Sequence, residues 1–165
     1  MTRVDERAAY IGIGSNLGDP EQQVRAAIDA LRRLPRSTFV GASRLYRSAP
    51  WGNAEQPAFV NAAAAISTEL APRELLDALL AIERAHGRVR DGERWGPRVI
   101  DLDILVYGDA RIDEPGLHVP HRHLAERAFV LLPLADLDPD LEIPGQGRVR
   151  ALAERVDATD CMPLA

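Results

Sequence analysis

Lysine is absent from this chain: all 20 basic residues are arginine. That absence removes the P-loop GKS or GKT motif, the strand lysine of protein kinases and any Schiff-base chemistry. Phosphate binding must then rest on arginine, backbone amides and metal. Cysteine is nearly absent too, and the single Cys161 permits no intrachain disulfide and marks no oxidising compartment. No apolar run approaches membrane-spanning length. The amino end, Met1-Thr2-Arg3-Val4-Asp5-Glu6-Arg7, lacks the apolar core of a signal peptide. A cytoplasmic location without a membrane partner is the expectation. Positive charge is also in deficit. A net charge of -5 argues against a nucleic-acid partner held by broad phosphate attraction. With 165 residues and no linker or repeat, residues 1–165 are expected to form one domain.

Tyr10 to Asn16 reads as a first strand ending in a turn. Asp19 then supplies an N-cap, Pro20 a first helical residue and Gln22 the third. Val24, Ala27, Ile28, Leu31 and Leu34 follow at helical spacing, and Pro35 ends the helix. Thr38 to Arg47 and Phe59 to Thr68 read as strands, separated by a loop from Ser48 to Pro57. A second helix runs from Pro72 to about Ala85 with Gly87 closing it. The next strand starts at Ile100 and ends near Gly108. Later signals are weaker: a short strand at Ala110 to Ile112, a helical turn within Pro120 to Glu126, an apolar run from Phe129 to Leu134 and a helix over Val149 to Arg155. Strand, helix, strand, strand, helix, strand is the ferredoxin-like βαββαβ order. It predicts an α+β fold, an antiparallel sheet with helices on one face and a C-terminal extension.

The chemistry concentrates between Arg88 and Leu105. Ile100, Leu102, Ile104 and Val106 alternate with Asp101, Asp103 and Leu105, so both carboxylates face one side of a strand. Two acids so close repel unless a cation or shared proton lies between them. Oxygen-only ligands suit Mg²⁺, which keeps waters and binds substrate phosphates. Arg88, Arg90, Arg94 and Arg98 stand just upstream, and guanidinium groups clamp phosphate oxygens. Trp95, flanked by glycine and proline, suits a stacking lid. An arginine–aspartate structural network is the competing reading of the acids, and a solvated charged turn that of the loop.

Other residues are less specific. The glycines Gly12, Gly14 and Gly18 lack the dinucleotide spacing, and a strand-to-helix turn that needs small residues explains them. Asn16 and Asn61 each carry donor and acceptor for a heterocycle edge, or hold a loop. His121 and His123 lack a third soft ligand for zinc, so His121 is a phosphate donor or a structural histidine. Glu83 falls on the apolar stripe of the second helix, facing a ligand or pairing with an arginine.

Together these pieces resemble the 6-hydroxymethyl-7,8-dihydropterin pyrophosphokinase family. The resemblance rests on Tyr10-Ile11-Gly12-Ile13-Gly14-Ser15-Asn16-Leu17-Gly18 and on Gln56-Pro57-x-Phe59-x-Asn61-Ala62-Ala63. It continues in Gly87-Arg88-Val89-Arg90, Arg94-Trp95-Gly96-Pro97-Arg98-x-Ile100-Asp101-Leu102-Asp103-Ile104, Val119-Pro120-His121 and Arg127-x-Phe129-Val130-Leu131-x-Pro133-Leu134. It implies transfer of pyrophosphate from ATP to a pterin alcohol in folate biosynthesis, with AMP leaving. Asp101 and Asp103 would hold two Mg²⁺ ions, while Arg88 and Arg98 steady the transferring phosphates. Arg90, His121 and Arg127 would bind ATP. Asn61 would read the pterin edge, with Phe129 and Trp95 against the ring. Ser48, Ala49, Pro50 and Trp51 would complete that pocket, braced by Asn16. Phe59 stands where a tyrosine is common, and Asp91 where some members carry a basic residue. The adenosine side, around Gly116-Leu117-His118 and Arg122, matches least. A monomer is expected.

Two other classes share parts of this inventory. A Mg²⁺-dependent nucleotide phosphodiesterase shares the acids and arginines but gives no reason for Asn61 beside Phe59. A non-catalytic ferredoxin-like binding module shares the fold but needs no metal.

Overall fold

A computed structural model of the chain describes residues 6–16, 18–48, 58–86 and 100–164. The expectations for Leu17, for the loop 49–57, and for Gly87 and the arginine loop through Arg98 fall outside them.

The sheet is built around strand β1 (Arg7–Ser15), which lies between β4 (Phe59–Thr68) and β5 (Asp101–Tyr107), antiparallel to both. Its alternation is strict. Ala9, Ile11, Ile13 and Ser15 are buried on one face, while Tyr10, Gly12 and Gly14 are half-buried on the other. Helices α1 (Pro20–Leu31) and α2 (Pro72–Ala85) cover the first face. Asp19 caps α1 by accepting the Gln22 N–H at 3.2 Å, and Val24, Ala27, Ile28 and Leu31 are buried along it. Leu75 and Leu79 of α2 are fully buried, in one core with Ile11, Ile13, Leu102 and Ile104.

The second strand differs from expectation: it is broken into β2 (Ser37–Ala42) and β3 (Tyr46–Ser48), both paired with β4. At the break Ser43 donates its N–H to the Ala63 carbonyl, and its hydroxyl accepts the Ala63 N–H at 2.9 Å. A side chain thus replaces one rung of the ladder, and the chain changes course without orphaning a backbone group. Ser48 belongs to β3 and not to the loop.

Helices lie on both faces of the sheet, not one. The apolar run at Phe129 forms helix α3 (Ala128–Leu137), which packs on the second face against β4, with Ala63, Leu105 and Val106 in its core. The position of β4 between two helical layers explains its alanines, since Ala62 to Ala65 are each at most 8 % exposed. A β-bulge also alters β5. The register steps from Tyr10↔Val106 to Ile11↔Ile104, which leaves Leu105 as the extra residue. Val106 therefore joins the α3 core instead of continuing the face of Leu102 and Ile104.

A hairpin of β6 (Ile112–Glu114) and β7 (Leu117–Val119) replaces the single strand expected near Ala110, and a 3₁₀ turn covers Leu124–Glu126. Beyond α3 come β8 (Glu142–Ile143), β9 (Gly147–Arg148), α4 (Val149–Arg155) and β10 (Cys161–Pro163). The last strand pairs with β3, giving the order β10-β3-β4-β1-β5 with β2 also on β4. The architecture is α+β with an antiparallel sheet. No helix among the described residues is long and apolar enough to cross a membrane.

Candidate active site

The site grows from the second face of three adjacent strands. Gly14 of β1 pairs with Asn61 on one side and Asp101 on the other; Gly12 pairs with Ala63 and Asp103. Alternation puts Gly12, Gly14, Asn61, Asp101 and Asp103 on the same face. The two glycines leave a trough between the amide and the acids. A Cβ added at Gly14 would stand 3.1 Å from Asn61 Oδ1, and one at Gly12 3.1 Å from Leu105 Cδ2. Their role is space, which corrects the turn reading for these two; Gly18, in the turn itself, keeps it, with a left-handed backbone at φ 62°.

Above this floor lies a cavity of about 410 Å³, within the range of small-molecule sites. Its lining includes Ser48, Phe59, Asn61, Phe129 and Val130 together with Asp101, Asp103, His121 and Arg127. Asn61 is 6 % exposed and donates Nδ2–H to Ser48 Oγ at 2.8 Å. Two aromatic walls over an asparagine amide suit a flat, polar heterocycle. A second cavity of about 360 Å³ is lined by apolar Leu76, Ile104 and Leu117 and by His118, Arg122 and His123. Asp103, His121 and Arg127 line both. The Arg127 guanidinium also lies 5.5 Å over the Phe129 ring, so one side chain touches the aromatic wall and the boundary between cavities.

The electrostatics are divided in the same way. Burial, then the charges of Arg127, His123 and His118, hold the His121 imidazole below its ordinary value. An anion here would reverse that penalty. His118 Nδ1 lies 2.6 Å from Asp113 Oδ1, and Arg122 is 3.9 Å from the same oxygen. Asp101 is half-buried and Asp103 exposed. Among the described residues no three His, Cys, Asp or Glu converge on one point. Two carboxylates open to a cavity fit Mg²⁺, which takes its remaining oxygens from water and phosphate, and do not fit a closed zinc site.

Of the predicted residues, the fold thus gathers Ser48, Phe59, Asn61, Asp101, Asp103, His121, Arg127 and Phe129 around one cavity. Asn16 follows β1 directly, half-buried, and lines neither cavity. Glu83 also lines neither: it is 3 % exposed, and its Oε2 accepts the Leu102 N–H at 2.8 Å. Ala49, Pro50, Trp51, Arg88, Arg90, Trp95 and Arg98 lie outside the described residues. Sequence reasoning missed the part of Gly12 and Gly14 as floor and of Leu76 and His123 as wall of the second cavity. The alternation of β1 pointed to the glycines, because it places them on the face opposite Ile11 and Ile13.

Known proteins resemble this chain in sequence and in fold. The model of the 7,8-dihydro-6-hydroxymethylpterin-pyrophosphokinase (HPPK) family matches residues 10–139. The chain is 58 % identical over 135 residues to 2-amino-4-hydroxy-6-hydroxymethyldihydropteridine pyrophosphokinase of Pseudomonas aeruginosa, covering 82 % of this chain and 83 % of that one. It is 49 % identical over 146 residues to the protein of that name from Methylorubrum extorquens, covering 88 % and 92 %. Among solved structures, Plasmodium falciparum HPPK-DHPS with pteroate aligns with a TM-score of 0.72 at 14 % identity, over 91 % of this chain. That likeness speaks for the fold alone, and this chain spans 42 % of the longer one. The chain belongs to the 7,8-dihydro-6-hydroxymethylpterin-pyrophosphokinase family.

Proposed function

We propose that this chain transfers pyrophosphate from ATP to 6-hydroxymethyl-7,8-dihydropterin, with the first cavity taking the pterin and the second the nucleotide. The observation that carries the reading is the common wall. Asp103, His121 and Arg127 border both cavities, where a triphosphate must lie to meet a second substrate.

Asn61 and Ser48 present the amide and hydroxyl that read the pterin edge, between Phe59 and Phe129. Ala49, Pro50, Trp51 and Trp95 complete that pocket in this reading, and Asn16 braces it. His121, Arg127 and Arg90 hold the ATP phosphates. Asp101 and Asp103 would hold two Mg²⁺ ions, which would supply charge neutralisation for the transferring phosphates. The pterin hydroxyl oxygen forms a bond to the β-phosphorus, the bond from that phosphorus to the α–β bridging oxygen breaks, and AMP leaves. The hydroxyl proton passes to solvent. Arg88 and Arg98 steady the charge that builds on the transferring group. Alignment and charge neutralisation suffice for this step, so the lack of a general base in the residue set is no obstacle.

The strand order also supports reading the core as a ferredoxin-like βαββαβ unit, with β2 and β3 as two halves of one strand. Residues 1–165 are then one domain, working as a monomer. Incubation with ATP, Mg²⁺ and the pterin alcohol tests the activity. AMP and the pterin diphosphate are the expected products; ADP or inorganic phosphate in their place overturns it.

A further inference from the structure

Glu83 is in a costly place. It is 3 % exposed, sits on the apolar stripe of α2 with Leu75 and Leu79, and lies in the last helical turn, where the macrodipole disfavours an anion. Its carboxylate reaches β5 and accepts the N–H of Leu102 at 2.8 Å. Leu102 is the residue between Asp101 and Asp103. Since its N–H goes to Glu83, it points away from β1. By the alternation of an antiparallel ladder, Asp101 and Asp103 then make their backbone bonds to Gly14 and Gly12. One edge of this three-residue segment is therefore fixed by β1 and the other by Glu83.

We propose that Glu83 is a positioning residue for the metal-binding pair: by holding the Leu102 peptide it sets the separation and direction of Asp101 and Asp103. This rests on the reading of those acids as Mg²⁺ ligands. Groups that orient metal ligands from behind commonly matter about 10–100-fold to metal affinity without touching the ion. The Glu83 contact that matters to this proposal is its acceptor on the Leu102 N–H; Glu83→Gln keeps that acceptor and Glu83→Asp, one methylene shorter, loses it.

The test measures Mn²⁺ binding by electron paramagnetic resonance with a methylene-bridged ATP analogue, beside amide exchange at Leu102. Glu83→Gln is expected to keep slow exchange and an affinity within about threefold of wild type. Glu83→Asp is expected to speed exchange and weaken Mn²⁺ about 10–100-fold. Fast exchange in Glu83→Asp with unchanged Mn²⁺ affinity overturns the proposal, as does equal weakening in both variants. Should Glu83→Asp not fold, a semisynthetic chain with an ester in place of the Leu102 N–H removes the same bond; unchanged Mn²⁺ affinity there also overturns it. If Asp101→Asn and Asp103→Asn leave Mn²⁺ binding intact, the metal reading itself fails and takes this inference with it.

Discussion

Asn61 and Asp101 face each other across Gly14, each its direct partner in the antiparallel sheet. Two strand spacings separate them, about 10 Å between Cα atoms. A heterocycle held at Asn61 therefore ends near the acids, and the residue between contributes no side chain to obstruct it. The same row arrangement repeats one step along the strand with Ala63, Gly12 and Asp103.

Gly14→Ala and Gly12→Ala separate these two rows. The new methyl at Gly14 presses on Asn61 Oδ1, while that at Gly12 presses on the Leu105 methyls. Gly14→Ala is expected to weaken pterin binding about tenfold, the loss of one hydrogen bond of roughly 1.4 kcal/mol. Gly12→Ala instead overpacks the core, costing about 1 kcal/mol and roughly 2–4 °C in Tm. Calorimetric titration with pterin in the presence of Mg²⁺ and an ATP analogue, beside thermal melts, reads both; equal pterin affinities would refute the row model.

Asp103→Asn keeps the shape of the acid wall and removes its charge. Turnover is expected to fall about 10²-fold or more, as when a charge-stabilising group is lost from a transferring centre. Stability should change by no more than about 1 kcal/mol, since Asp103 is exposed. Chelation of divalent metal should silence the wild type and leave its melting curve in place. A variant that turns over at half the wild-type rate would remove Asp103 from the metal site.

Periodicity made much of this legible. Val24, Ala27, Ile28 and Leu31 mark α1, and β4 covers the expected Phe59 to Thr68, where Val60 and Ile66 favour a strand. The acids on one face of β5 follow from alternation alone. What failed did so for tertiary reasons. Ser43 replaces a ladder rung with its side chain, which no propensity encodes. The bulge at Leu105 turns Val106 over, although its pattern continues that of Ile104. The run from Phe129 to Leu134 is apolar nearly all round, so it carries no amphipathic signal, and only its burial between β4 and α4 identifies a helix. Family resemblance supplied the substrates that these patterns could not.

His121 gives a pH signature. Its folded-state value is lowered from 6.5, by burial first and by Arg127, His123 and His118 after it. The neutral ring is therefore favoured, and its contribution to stability is intact above pH 6.5. It is lost as pH falls through 6.5 toward the folded value, where the unfolded chain takes up the proton first. A bound triphosphate favours the cation, so ATP-analogue binding near pH 6 is expected to draw in a proton. Titrations in buffers of different ionisation enthalpy should show that uptake in the wild type and less of it in His121→Gln. Equal uptake in both would assign the proton elsewhere.

The Tyr46 hydroxyl ties the break between β2 and β3 to α3. It donates to Asp136 at 2.9 Å and accepts from Arg44 at 2.9 Å, and Tyr46 itself is 3 % exposed. Ser48, two residues on, bonds Asn61, so this anchor also steadies the polar end of the first cavity. Tyr46→Phe removes a bond to a charged partner and is expected to cost about 1.5–3 kcal/mol, lowering Tm by roughly 3–12 °C. Burial first, and then Asp136, push the Tyr46 phenol up to about 12. Its stabilisation is thus complete below pH 10.0 and lost as pH rises through about 12. Alkaline unfolding should show a wild-type advantage over Tyr46→Phe that shrinks across that window. An advantage that stays constant to pH 12 would mean that the phenol does not titrate with the fold.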